Sequence, residues 1–167
     1  MRRELIALAL AVAASAAHAS GCTLVFGQGR NPTLRGGPDW DALNTRFNAA
    51  VASALDADGR QVLPLTASSP QIDPQAAGRE LLEQADRLGC RTLVETTVFA
   101  DGETLVLRLR VYPLLPQLGD NGAVAGLRIG APAFVTQRDL AMATLLRARP
   151  EALAAQMAAE YLQHERR

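Results

Sequence analysis

The chain has 167 residues, of which 17 are basic and 17 acidic, with 49% hydrophobic and only 4% aromatic residues. A formal net charge of zero provides no overall field to draw it to nucleic acid or to an anionic membrane surface. The length suits one domain with one core, and two histidines and two cysteines leave few ligands for a metal or a nucleophilic dyad.

The chain opens with Arg2 and Arg3, an apolar run from Leu5 to Ala14, and the small-residue end Ala17-His18-Ala19. This is the layout of a secretory signal peptide, too short to span a membrane. Leu5 to Ala17 has no polar face, so a buried amphipathic helix does not explain it. The sequence therefore predicts export to the periplasm, a signal peptide over 1–19 and a single domain over 20–167. No later run reaches the roughly 18 apolar residues of a transmembrane helix.

Cys22 and Cys90 then meet an oxidising compartment, where an intramolecular disulfide is the first expectation. The alternative is an outer-membrane lipoprotein with a lipid anchor at Cys22. Ser20-Gly21-Cys22 resembles the end of a lipobox, but Ala19 stands where leucine is usual, and acylation would strand Cys90. The disulfide is the better of the two.

Thr23 to Phe26 reads as a first strand. The run Gly27-Gln28-Gly29-Arg30-Asn31-Pro32 follows, placing proline where a dinucleotide fingerprint needs its third glycine and lacking the Gly-Lys-Ser/Thr end of a P-loop. Pro38-Asp39 opens a helix whose apolar residues Trp40, Leu43, Phe47, Val51 and Leu55 recur at helical spacing, and Gly59 stops it. Arg60 to Leu65 is a second strand. Asp73 and Pro74 start a second helix, with Leu81, Leu82, Ala85 and Leu88 as its buried stripe and Gly89 at its end.

Thr92 to Ala100 and Glu103 to Tyr112 form a hairpin about an Asp101-Gly102 loop. That loop sets Ala100 opposite Glu103, Val98 opposite Leu105, Thr96 opposite Leu107 and Val94 opposite Leu109, with Val111 completing the core face. On the other face Glu95 falls opposite Arg108, Leu93 beside Arg110, and Thr97 beside Val106. Pro113 to Ala125 reads as a loop, and Leu127, Ile129, Ala131, Ala133 and Val135 alternate as a further strand, which Pro132 makes either an edge strand or an irregular one. Thr136 and Asp139 fit a capping-box start for a helix to Ala148, and Pro150 starts a final helix with Leu153, Met157, Tyr161 and Leu162 on its apolar side.

The pattern is β-α-β-α-β-β-β-α-α, an α/β domain with a three- to five-stranded mixed sheet ending in a C-terminal helical pair. Each cysteine precedes a strand, so their bond sets strands one and three side by side and parallel. Strand order 2-1-3-4 follows, with right-handed crossovers.

No Gly-x-Ser-x-Gly, His-Glu-x-x-His or Cys-x-x-Cys occurs, and the two histidines, His18 and His164, lie near the ends. The sequence thus names no catalytic residue, no metal ligand and no cofactor. Carboxylate chemistry stays formally open at Asp39 and Asp41, which flank Trp40 at a strand-to-helix corner where α/β folds place ligands. The plainer account has Asp39 capping the helix and Trp40 packing inward. Glu95, Arg108 and Arg110 are either a contact patch for a partner or the wet face of a hairpin.

The runs "WDALNTRFNAAVASALDADGRQVLPL" and "AGRELLEQADRLGCRTLVETTVFADGETLVLRLRVYP" resemble small bacterial envelope α/β domains. The types concerned are the amino-terminal domain of the Tol-Pal propeller protein TolB and the CsgG/LpoB-type domains. The shared pattern is a helix into a strand, a second helix, then a hairpin whose first strand carries a phrase like Gly89-Cys90-Arg91-Thr92-Leu93-Val94. That resemblance spans Thr23 to Pro113, contributes no catalytic residues, and implies protein–protein work with another envelope protein. The leading expectation is an exported, non-catalytic accessory protein of a cell-envelope complex. A small-ligand or carbohydrate-binding periplasmic protein is the alternative.

Overall fold

The computed structural model describes residues 21–28, 37–67, 74–145, 147 and 149–167. The expected signal peptide with His18, most of the glycine-rich loop and the expected Asp73 cap lie outside the described residues. In chain order the elements are β1 (Thr23–Gln28), α1 (Trp40–Asp56), β2 (Val62–Ala67), α2 (Pro74–Arg87), β3 (Thr92–Asp101), β4 (Thr104–Leu118), β5 (Val124–Ile129), β6 (Phe134–Ala141), a 3-10 turn (Met142–Thr144) and α3 (Pro150–Glu165).

The strands form one mixed sheet in the order β2-β1-β3-β4-β5, with β6 also paired to β4. β1 runs parallel to both β2 and β3, as the position of the two cysteines requires. Alternation in the strands splits the interior in two. Val25, Val94, Val98, Leu105, Leu107, Leu109 and Val111 face α1 and α3, while Leu24, Leu93, Leu114 and Leu127 face α2. The Cys22–Cys90 disulfide lies in the α2 layer and joins the starts of the two central parallel strands.

α1 forms where expected because its start and its stripe agree. Asp39 Oδ1 accepts the Ala42 N–H at 3.0 Å, satisfying one of the donors that a helix start leaves over. Trp40, Leu43, Phe47, Val51 and Leu55 are all buried, and Gly59 takes φ 84° just past the helix. α2 buries Leu81 and Ala85, but Leu88 is 46% exposed, a correction to the expected stripe. The helix ends at Arg87, and Gly89 at φ 68° turns the chain away before Leu88 can reach the layer.

The hairpin register differs from the expected one by two residues. Its turn is Gly102-Glu103, with Asp101 opposite Thr104, Glu95 opposite Arg110 and Thr97 opposite Arg108. A type I′ turn on Asp101-Gly102 needs positive φ at both residues, whereas here Gly102 alone has it, at 57°. Because the slip is even, every residue keeps its face, and Val94, Thr96, Val98, Leu105, Leu107, Leu109 and Val111 are buried as expected.

Three further expectations are corrected. Pro113 to Leu118 is not a loop but the second half of β4, paired with β5. Leu114 N–H bonds Arg91 C=O at 2.8 Å, so alternation points Pro116 along the same edge, beyond the start of β3, where its missing N–H leaves no ladder bond unmade. Thr136 and Asp139 lie within β6 and start no helix, because the long β4 offers Thr104–Val111 as a pairing edge. The C-terminal pair is therefore a 3-10 turn and one helix, α3. The one strand expected over Leu127 to Val135 is split into β5 and β6, with residues 130–133 around Pro132 standing opposite Tyr112 and Pro113.

α3 packs on α1 through Ala154, Met157, Ala158, Tyr161 and Leu162. Its end is tied down by a polar cluster. Arg60 pairs with Glu165, Tyr161 O–H donates to Glu165, and Arg166 reaches Asp58 at 2.5 Å.

Candidate protein-interaction face

The side of the sheet that carries α2 continues past that helix, over the outer halves of β3, β4 and β6. The register lays its side chains out in rows. Glu95, Arg110 and Val135 form one row, Thr97, Arg108 and Gln137 the next, then Phe99, Val106 and Asp139. Three of the residues singled out from the sequence, Glu95, Arg108 and Arg110, thus meet on one face.

The corrected register sets Arg110 directly opposite Glu95. Arg110 Nη2 lies 2.9 Å from Glu95 Oε1 and 2.8 Å from Oε2, and Tyr112 O–H donates to Oε2 at 3.1 Å. Arg108 lies over the Phe99 ring, 5.2 Å from its centroid, and Arg110 sits 5.9 Å from that of Tyr112. Burial and the nearby Glu95 carboxylate raise the Tyr112 phenol above its usual range, so it stays a donor. A pair this exposed adds about 0.2–1 kcal/mol. The face is therefore held in place by its own contacts, presenting flat guanidinium and ring surfaces.

Asp39 and Trp40 lie elsewhere, on the α1 side of the sheet. Asp39 caps the helix, and Trp40, 5% exposed, is part of the core. Cys22 and Cys90 are both buried, and in this form Cys22 Sγ is committed to the disulfide, leaving no thiol for an acyl chain. Among the described residues no group of three or more His, Cys, Asp and Glu is placed to hold a metal ion, and no helix is long and apolar enough to cross a membrane.

Sequence reasoning missed a second feature of the face. The end of β4 and β5 extend beyond β3 as a two-stranded ribbon, and large apolar side chains are exposed along it. Leu118 and Val124, paired at the tip, are each 64% exposed, and Ile129 follows. Leu127, Ile129 and Val135 do share a face, as their alternation predicts, but only Leu127 reaches the cover of α2. The signal lay in Leu118 and Val124 flanking Gly119 to Ala123, which composition alone renders as a loop. A groove of about 200 Å³ runs between α2 and β5, lined by Arg79, Leu82, Glu83 and Asp86 on one side and residues 125–127 on the other.

Two neighbouring elements were also absent from the sequence reading. Asn44 and Asn48 of α1 are buried, and both point into the sheet where the parallel strands end. Asn48 Nδ2 lies 3.2 Å from Val25 O, 3.3 Å from Leu65 O and 3.0 Å from Thr96 Oγ1. These amides fill the switch point between β1 and β3, where open α/β sheets commonly bind ligands. Comparison with known protein families and with curated proteins finds no match for the chain.

Proposed function

We propose that the chain is an exported, non-catalytic binding module that serves a cell-envelope complex. Its contact surface is the projecting β4–β5 ribbon together with the Glu95, Arg108 and Arg110 face beside it. The observation that carries this is the concentration of exposed large apolar side chains, Leu118, Val124, Ile129 and Val135, on β4, β5 and β6. Apolar groups gathered on neighbouring strands suit a protein contact. Arginine and aromatic groups beside them match the composition of interface centres. The disulfide and the signal-peptide layout support export, and the resemblance to envelope α/β domains supports the setting.

A photo-crosslinking amino acid at Val124 tests the proposal in cells. It is expected to give one discrete protein adduct, lost when Leu118→Ser is added, while the same probe at Leu88 gives none. Equal labelling at the two positions, or a chain that keeps residues 1–19 and stays in the cytoplasmic fraction, would overturn it.

A further inference from the structure

We infer that β6 is a self-pairing edge, through which two copies of this chain join their sheets about a two-fold axis. This goes beyond the proposed contact at the β4–β5 tip and does not rest on it. Among the described residues β6 pairs with β4 alone. Met142 N–H bonds Glu103 C=O on the β4 side, so alternation turns the backbone groups of Val135, Gln137, Asp139 and Ala141 outward. Those four residues are exposed. A row of outward N–H and C=O groups is complementary to another extended backbone.

Two other edges are interrupted by proline. Pro64 stands in β2 and Pro116 in the overhanging part of β4. Thr23 N–H bonds Gln61 C=O, so alternation faces Pro64 away from β1, and its missing donor falls on the outer edge. β6 contains no proline.

Charge favours a second copy as the occupant and narrows the register. An isologous antiparallel pairing sets outward residues opposite outward residues, so the axis passes through a single position. Centred on Arg138 or on Asp139 it would set like charges directly opposite, which is destabilising. Centred on Gln137, it pairs Phe134 with Leu140, Thr136 with Arg138 and Val135 with Asp139. Thr136 Oγ1 donates to Glu160 Oε2 at 2.8 Å, and Arg138 is ion-paired with the same carboxylate. The second copy's Arg138, arriving opposite Thr136, therefore comes to a carboxylate already in place, and symmetry repeats the contact. Phe134 and Leu140, both only partly buried, cover one another at each end.

The test measures oligomeric state on the mature, disulfide-bonded chain. Light scattering at high micromolar concentration is expected to give the mass of two chains. Gln137→Cys is expected to crosslink between copies through a short bis-thiol reagent, and Leu88→Cys on α2 is not. The native cysteines do not interfere, since both are in the disulfide. Gln137→Lys, which sets like charges on the axis, and Gln137→Pro, which removes an outward donor, are both expected to run as folded monomers by circular dichroism and scattering. A monomeric wild type overturns the inference, as does a dimer that crosslinks no better at 137 than at 88 or that survives Gln137→Lys.

Discussion

Asn44 of α1 holds both backbone groups of Val98 in β3: its Oδ1 accepts the Val98 N–H at 2.7 Å and its Nδ2 donates to the Val98 carbonyl at 2.9 Å. β1 pairs with β3 only as far as Thr96, and among the described residues no strand pairs with β3 on that side beyond it. A helix side chain supplies the missing ladder bonds. Asn44→Ala leaves a donor and an acceptor buried and unmade, each costing about 1–3 kcal/mol. The expected loss is about 2–4 kcal/mol in urea denaturation, with faster exchange of the Val98 amide. A loss under about 0.5 kcal/mol, the range of ordinary surface changes, would show that water replaces the amide.

Gly27 of β1 lies against Asn48 of α1. A Cβ there would stand 2.9 Å from Asn48 Nδ2 and 3.0 Å from Asn48 Cβ. Asn48 cannot retreat cheaply, because its amide serves Val25, Leu65 and Thr96. Gly27→Ala is expected to cost about 1–3 kcal/mol, the range of overpacked cores. The double variant with Asn48→Ala should then lose less than the sum of the two single variants, since both act on one contact. Strict additivity in thermal or urea unfolding would refute the contact.

The same glycine shows how far the sequence was legible. Read along the chain, Gly27 opens a glycine-rich run that fails the phosphate-binding motifs and passes for a connection; in space it is a strand residue that admits a helix side chain. The order β2-β1-β3-β4 was legible because the cysteines mark equivalent starts of two strands, and the α1 stripe because helical spacing and a cap coincide. Register was not, because Asp101-Gly102 and Gly102-Glu103 both make two-residue turns and differ only in which residues take positive φ. The strand character of Pro113 to Leu118 was hidden because proline is excluded from a paired position and not from a free edge. Of the candidate site, the charges were legible and their register was not: a shift of two sets Arg110, where Arg108 was expected, directly opposite Glu95.

The disulfide closes a loop with a sequence separation of 68 residues. For a loop of that size the chain-entropy model gives about 4 kcal/mol. Cys22→Ser and Cys90→Ser are each expected to lower stability by about 2–5 kcal/mol, and the double variant by no more than the larger single loss, because one bond is removed in every case. Urea midpoints with and without reductant measure this. Wild type under reductant should match the double variant, and a reduced wild type as stable as the oxidised one would contradict the assignment of the bond as a structural staple.

Tyr161 carries a pH dependence whose sign can be worked out. Burial first, then the hydrogen bond to the Glu165 carboxylate, raises its phenol far above the usual value of about 10. The native state therefore keeps its proton where the unfolded state releases it. The resulting stability is present in full below about pH 10 and is lost as pH climbs from there toward the raised native value. Tyr112, raised for the same first cause, adds to the slope in the same direction. Urea unfolding between about pH 8 and 11 should show a falling stability in the wild type and a shallower fall in Tyr161→Phe, which has no phenol to ionise. Tyr161→Phe should also be less stable at pH 8, by about 1 kcal/mol or somewhat more, because the lost hydrogen bond goes to a charged group. Equal slopes in the two proteins would mean that the Tyr161 phenol titrates in the folded chain as it does in the unfolded one.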